Sequence, residues 1–198
     1  MLEVLLAPDT FPQYRLGDLV LQFAKNGCDV SRYHFDIEPH VGRMGESLGN
    51  IRWDTQYGLT LTGSVGRRRP HLAVLGMRPV ADALLIEQIQ SRWDKESPIR
   101  SLRWERLLVS AVVTFAAKSG VYRQVCIQTA SRTAWFSDPV GIFPLYERNG
   151  VTLYVFDNGR TLEEYQADMK RRYDGTARGL HFKWSRDKKM WLYPLRSG

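Results

Sequence analysis

Residues 97–130 constrain the fold most strongly, because they predict a helix followed directly by a buried strand. Ser97 and Pro98 predict the start of the helix, with serine as the N-cap and proline in the first turn. Gly120 predicts its end. The apolar residues that recur at helical spacing between them are Leu102, Leu108, Ala111, Val112, Phe115 and Ala116. The apolar strand at residues 125–127 follows, and this succession is typical of domains that combine helices with a sheet.

Short strands and helices alternate along the rest of the chain. The pattern predicts strands at residues 1–7, 30–37, 71–77, 122–130 and 151–156, a hairpin or two short strands at 51–65, a closing hairpin at 180–195, and a loop at 39–50. It predicts helices at residues 14–25, 80–93 and 161–177, the last beginning with a capping box between Thr161 and Glu164. We therefore expect an α/β (α+β) fold with a mixed central sheet flanked by helices on both faces. No linker or repeat divides the chain, which predicts a single domain over residues 1–198.

Charge and cysteine usage limit the range of functions. The net charge of +7 suits an anionic partner such as nucleic acid, CoA phosphates or an acidic protein, and it equally suits an ordinary basic surface. Cys28 and Cys126 belong to no CxxC pair and the histidines lack metal-ligand spacing, so no metal site is predicted. The N-terminus, with Glu3, indicates a first strand rather than a signal peptide, and no apolar run could span a bilayer. We expect a cytoplasmic protein without a membrane partner.

The order of elements over residues 70–150 resembles the acyl-CoA-binding part of the GCN5-related N-acetyltransferase family. Residues 71–77 would match the central fourth strand of that family, residues 107–120 its long helix, and residues 122–129 its fifth strand. Residues 145–150 are similar to the family's Leu-Tyr-Glu-x-x-Gly segment. The resemblance implies acetyl-CoA as the cofactor. The residues that would contact it are Leu75, Met77, Arg100 and Arg103.

The segment before the long helix departs from the family pattern. In the family, a Gln/Arg-x-x-Gly-x-Gly/Ala loop lets backbone N–H groups approach the CoA pyrophosphate, and the helix dipole adds attraction. Here Arg100 matches the arginine of the family pattern, but Arg103 and Glu105 stand where the family has its two small residues. We expect their side chains to crowd the phosphates and Glu105 to repel them. The resemblance therefore implies either acyl transfer to a small amine or a protein amine, or a degenerate, non-catalytic domain.

The resemblance also implies a tyrosine that protonates the CoA sulfur, and two residues compete for that role. Tyr146 stands in the Leu-Tyr-Glu segment, where a core role is the alternative. Tyr173 opens a second similar motif, Tyr-x-x-x-Ala-x-x-Gly-Phe, with which the family leads a helix into its last hairpin. Glu87 and Asp138 are candidate bases, but no motif anchors either of them.

Basic residues interleaved with aromatic ones suggest a different function. The two clusters are Arg67, Arg68 and Arg69 in one turn, and Lys183, Trp184, Lys188 and Lys189 near the C-terminus. Such side chains can bind phosphates and stack on bases, which predicts a binding module for nucleic acid or an acidic protein partner. The alternative is an edge hairpin whose charges prevent aggregation. The sequence thus supports two hypotheses, an acetyltransferase-like domain and a basic binding module.

Overall fold

The fold is described from a computed structural model. It defines residues 16–31, 33–43, 45–48, 51–64, 69–91, 98–133, 136, 145–148, 151–154 and 161–195. Within these residues the chain is of the α+β class, with a mixed seven-stranded sheet and a few helices. The chain divides into two compact units, one formed by Met1–Cys126 with Leu192–Gly198 and the other by Ile127–Trp191. The single domain and the helices on both faces of the sheet stay predictions.

The helices are α1 (Leu16–Phe23), α2 (Trp104–Ser119), α3 (Leu162–Lys170) and α4 (Thr176–Gly179), with 3-10 turns at Pro98–Ser101 and Ala130–Arg132 and a π-turn at Arg171–Gly175. The strands are β1 (Phe35–Val41), β2 (Glu46–Leu48), β3 (Ile51–Trp53), β4 (Tyr57–Gly63), β5 (His71–Val80), β6 (Ala83–Ser91), β7 (Gln124–Gln128), β8 (Leu145–Arg148), β9 (Val151–Tyr154), β10 (Lys183–Ser185) and β11 (Met190–Pro194). The large sheet has the order β1-β4-β5-β6-β7-β11-β10, while β2–β3 and β8–β9 form two-stranded sheets.

Four antiparallel strands, β1, β4, β5 and β6, form the framework of the first unit. Successive residues of a strand point to opposite faces, so one face of this meander carries Leu59, Leu75 and Ile89, all buried. Helix α2 contacts β4 and β5. Because its own inner residues Leu108 and Val112 are fully buried as well, the helix and the meander share one hydrophobic core.

The β2–β3 hairpin covers the other face of the meander. Its residues Leu48, Ile51 and Trp53 pack in one cluster with Val74 of β5. This close approach depends on Gly58, where a Cβ would lie 2.5 Å from Cη2 of Trp53. Any larger residue there would push the hairpin off the sheet, since packed interiors have little room to adjust.

The prediction of a helix at residues 80–93 is wrong, because Ala83–Ser91 form the strand β6, which pairs with β5. Ala81 has a φ of 51° in the tight turn that joins the two strands. The consecutive residues 83–86 are all buried, as expected of an inner strand that is covered on both faces. A run of this kind cannot be distinguished from a buried helix by periodicity alone.

Residues 51–65 contain two short strands, β3 and β4, which confirms that alternative, but these strands pair with others rather than with each other as a hairpin. The loop predicted at 39–50 is wrong where β1 and β2 lie. Strand β1 continues to Val41, β3 pairs with β2, and β4 pairs with β1 and β5. The strand predicted at residues 30–37 begins at Phe35, and that predicted at residues 71–77 extends to Val80. The strand predicted at residues 1–7 lies outside the described residues.

Helix α2 begins later than predicted, at Trp104, after the 3-10 turn at Pro98–Ser101; Ser97 lies outside the described residues. The backbone between these elements bonds instead to the end of α1. Lys25 N–H donates to Ser101 O at 2.8 Å, and Arg103 N–H donates to Phe23 O at 2.8 Å. The predicted end is confirmed, because Gly120 adopts the left-handed conformation with a φ of 64°.

Local signals in the second unit predict its structure well. The capping box is confirmed: Thr161 Oγ1 accepts from Glu164 N–H at 3.2 Å, and Glu164 Oε2 accepts from Thr161 N–H at 2.9 Å. Helical backbone then continues through α3, the π-turn and α4 to Gly179. The last hairpin is confirmed as β10 and β11, and β9 matches the predicted strand at 151–156 over four residues. No helix in the described ranges has the length and hydropathy needed to cross a membrane.

Candidate functional site

The connection β6–α2–β7 defines the first candidate site. Strands β6 and β7 are neighbours in the sheet, and the 16-residue helix α2 lies between them in the chain. Leu75 and Met77, expected to contact the cofactor, lie instead on β5, on the other side of β6, and are fully buried. The strand that leads toward α2 is therefore β6 and not the segment 71–77. The cofactor role of Leu75 and Met77 stays a prediction.

The start of α2 carries two exposed cations, Arg100 and Arg103. Arg103 occupies the N-cap position, but its side chain makes no capping hydrogen bond. Glu105 in the first turn is only 9% exposed. The carboxylate expected to repel phosphates is thus largely withdrawn from solvent, whereas Arg100 and Arg103 are exposed.

Sequence reasoning missed a bulge in β6. Gly76 pairs with Gln88 and Met77 pairs with Ile86, which leaves Glu87 as the extra residue. Glu87 Oε1 lies 2.8 Å from Nε of Arg78, an ion pair at a partly exposed position. The candidate base Glu87 therefore has a cationic partner. The bulge distinguishes it from the other acidic residues, and no pattern in the sequence predicts that bulge. Asp138 lies outside the described residues.

Next to the bulge, the buried side chain of Gln88 fixes the loop that follows β3. Its Oε1 accepts from Asp54 N–H at 3.1 Å, and its Nε2 donates to Arg52 O at 2.6 Å. Thr55 Oγ1 donates to Tyr57 O at 3.1 Å in the same loop. The side-chain amide thus satisfies one backbone donor and one backbone acceptor of residues 52–54, as a neighbouring strand would.

The two candidate tyrosines have different settings. Tyr173 is buried within the π-turn between α3 and α4, a local insertion that is frequent at functional sites. Asp168 stabilises the start of this turn. Nη2 of Arg171 and Nη2 of Arg172 each donate a hydrogen bond of 2.6 Å to one of its carboxylate oxygens. Tyr146 lies in β8, within the separate two-stranded sheet.

Two further tyrosines have perturbed acidities. Burial raises the pKa of Tyr165, and the nearby Arg172 partly opposes this shift. Burial, with a contribution from Tyr57, raises the pKa of Tyr122, whose hydroxyl is buried without a hydrogen-bond partner among the described residues. Both phenols therefore stay protonated at neutral pH. Neither residue was expected from the sequence to belong to a site.

The structure brings together the predicted basic residues of the C-terminus. Lys183 and Trp184 lie on β10, and Lys188 and Lys189 lie in the turn before β11; all four are exposed. Arg132 Nη1 donates to Lys188 O at 3.2 Å and so adds another cation beside the turn.

In the basic turn at residues 67–69, Arg67 and Arg68 lie outside the described residues. The guanidinium of Arg69 pairs with Asp36 and also lies 3.7 Å from Oε1 of Glu38, both on β1. Arg69 is therefore partly neutralised by the strand beside it, which lowers its value as a phosphate ligand.

Within the described ranges, no three His, Cys, Asp or Glu side chains are grouped closely enough to hold a metal ion. Comparison of the chain with protein-family models, with curated proteins and with solved structures finds no match.

Proposed function

We propose that the chain is an acyl-CoA-dependent N-acetyltransferase-like domain in the cytoplasm. The observation that carries this proposal is the β6–α2–β7 connection, in which two neighbouring strands of the large sheet are joined through a long helix. Ligands commonly bind at the carboxyl ends of strands connected in this way, where the helix N-terminus attracts anions. With β6 taking the place expected of residues 71–77, the order of strand, long helix and strand agrees with the resemblance.

The phosphates of acetyl-CoA would be bound by side chains rather than by a glycine loop. Arg100 and Arg103 are exposed beside the start of α2, and a guanidinium can donate two hydrogen bonds to one phosphate. Glu105 is only 9% exposed, so Arg100 and Arg103, and not this carboxylate, form the solvent-exposed surface at the start of α2. The positive charge of the two arginines would replace the backbone N–H groups of the family.

Tyr173 is the better candidate for the general acid. It lies on the helical segment that leads into the β10–β11 hairpin, as the similar motif of the family does. In the family that the chain resembles, a tyrosine gives its proton to the departing sulfur of acetyl-CoA, and the resemblance assigns that role to Tyr173. An acceptor amine, either a small molecule or on a protein, would lose its proton to a base, for which Glu87 is the described candidate.

Calorimetric titration with acetyl-CoA and with CoA, at low and moderate salt, tests the binding step. We expect micromolar binding that an Arg100→Gln, Arg103→Gln double variant weakens by about tenfold or more, since charged hydrogen bonds contribute about 1.5–3 kcal/mol each. The matched control is Arg43→Gln, which removes an exposed cation from another loop and should leave the affinity unchanged. An unmodified protein that fails to bind at millimolar acetyl-CoA would refute the proposal.

Thiol release from acetyl-CoA in the presence of a panel of amines tests the chemical step. Tyr173→Phe should keep the affinity for acetyl-CoA and lose most of the turnover, whereas Tyr146→Phe should change neither. If acetyl-CoA binds and no amine is acetylated, the domain is of the degenerate kind and Tyr173 has no catalytic role.

A further inference from the structure

The hairpin formed by β10, its turn and β11, here called the C-terminal hairpin, presents a concentrated basic surface. Residues 183–191 contain four cationic side chains and one carboxylate, and all five are exposed. Among the described residues no ion pair engages the cationic groups of Lys183, Lys188 or Lys189. The positive charge of this hairpin is thus not neutralised by its described neighbours.

An exposed indole accompanies these cations. Trp184 is 43% exposed, an unusual degree for tryptophan, and its ring centroid lies 5.4 Å from that of Trp191. Trp191 is itself fixed, because its Nε1 donates to Asp174 Oδ1 at 2.8 Å and the guanidinium of Arg178 lies 5.9 Å from its ring centroid. The ring of Trp191, which these contacts fix, therefore packs against the exposed ring of Trp184.

Hydrogen bonds also restrict the backbone in the turn of the hairpin. Lys188 N–H donates to Ser185 Oγ at 3.3 Å, and Lys188 O accepts from Arg132. Lys189 has a φ of 50°, in the left-handed region that non-glycine residues seldom adopt. The cations of the turn are therefore presented from a defined backbone, so that a ligand need not order it on binding.

We propose that the C-terminal hairpin binds single-stranded nucleic acid, with phosphates at Lys183, Lys188 and Lys189 and one base stacked on Trp184. This combination of cations along a backbone path and an exposed aromatic ring is how such strands are bound without sequence preference. A duplex does not offer the face of a base to the indole, and an acidic protein has no need of it. Among the described strands, β10 is the last in the order of the large sheet, so its outer edge pairs with none of them.

Fluorescence anisotropy with a labelled oligothymidylate of about 12 nucleotides tests the proposal directly. The charge variant replaces Lys183, Lys188 and Lys189 by glutamine. The matched control replaces Lys25, Arg43 and Lys118 by glutamine and removes the same charge from exposed positions elsewhere. We expect the slope of log affinity against log salt to fall by about 2 in the first variant, following about 0.7 per phosphate contact, and by less than half of that in the control. Equal slopes in the two variants would overturn the proposal.

Two substitutions at Trp184 test the stacking. Trp184→Phe keeps an aromatic face, whereas Trp184→Leu keeps the apolar contact with Trp191 and removes the π-face. We expect Trp184→Leu to lose about 5- to 100-fold in affinity and Trp184→Phe to lose much less, given about 1–3 kcal/mol per stacked base. Circular dichroism and thermal melting check that both variants fold.

The choice of ligand completes the test. Oligothymidylate should bind at least tenfold more tightly than a duplex of the same length or polyglutamate of similar charge. If all three bind equally and Trp184→Leu has no effect, the hairpin is a general polyanion surface and the proposal is wrong. The result is independent of acetyl-CoA, because the residues involved are not those proposed to bind that cofactor.

Discussion

The two units of this chain begin a helix by different means. At the start of α2, Arg103 makes no side-chain cap, and its N–H instead bonds to Phe23 at the end of α1, some 80 residues away in the chain. At the start of α3, Thr161 and Glu164 satisfy each other's N–H groups within one turn. Long-range contacts thus determine the first start and local sequence the second. The comparison predicts that substitutions will have larger and more widespread effects in the first unit than in the second.

Leu102→Ala should have the largest effect. Leu102 is fully buried, so truncation of its side chain leaves a cavity, and its backbone forms an isolated bridge with Ala24 next to the end of α1. We expect a loss of about 2–5 kcal/mol in the free energy of unfolding, measured with a chemical denaturant. Leu21→Ala is the matched control because Leu21 is 65% exposed, and it should cost little. A cost for Leu102→Ala no larger than that of its control would contradict the comparison.

Gly76→Ala should have an intermediate effect. A Cβ there would lie 2.6 Å from Cγ2 of Thr55 and 2.9 Å from Cβ of Gln88, so the loop after β3 must move. Overpacking of this kind costs about 1–3 kcal/mol. Adding Thr55→Ala removes the first of the two clashes, and we expect the double variant to lose at least about 0.5 kcal/mol less than the sum of the single ones. Strict additivity in denaturant unfolding would show that the loop is not packed against Gly76.

Thr161→Ala should have the smallest effect of the three, at about 0.5–2 kcal/mol, since it removes only a cap. Amide hydrogen exchange should show lost protection at Glu164 and its neighbours in α3, with α2 unchanged. Thr161→Ser retains the hydroxyl and serves as the control. Faster exchange throughout α2 in the alanine variant would mean that the start of α3 is not locally determined.

Features of the fold that depend on local sequence could be predicted, and features that depend on long-range contacts could not. The capping box, Gly120 and the C-terminal hairpin were predicted because each depends on residues close together in the chain. Strand β6 was mistaken for a helix because an inner strand has apolar residues on both faces, which removes the alternation that identifies a strand. The pairing of β3 with β2, rather than with β4, depends on the packing of Trp53 against Val74, which no local pattern reveals.

The candidate site was predictable to a lesser degree. The basic residues of the C-terminal hairpin could be found because they are consecutive in the sequence and the hairpin is short. The bulge at Glu87 and the bonds of Gln88 could not, since they arise from the register between β5 and β6 and from a loop more than 30 residues upstream. The resemblance matches the strand of Leu75 and Met77 to the family's central fourth strand, whereas the strand that precedes α2 in the structure is β6.

The division of the chain has a consequence for its synthesis on the ribosome. The first unit consists of Met1–Cys126 and Leu192–Gly198, and Leu195 N–H donates to Arg123 O at 2.8 Å. The residues that complete this unit are therefore translated only after all of Ile127–Trp191. At about 5–20 residues per second, roughly 4–14 s pass between the synthesis of Arg123 and that of Leu195. During this interval the nascent chain exposes the backbone of β7 where β11 will pair, which makes this strand a natural site for chaperone binding or for misassembly with another nascent copy.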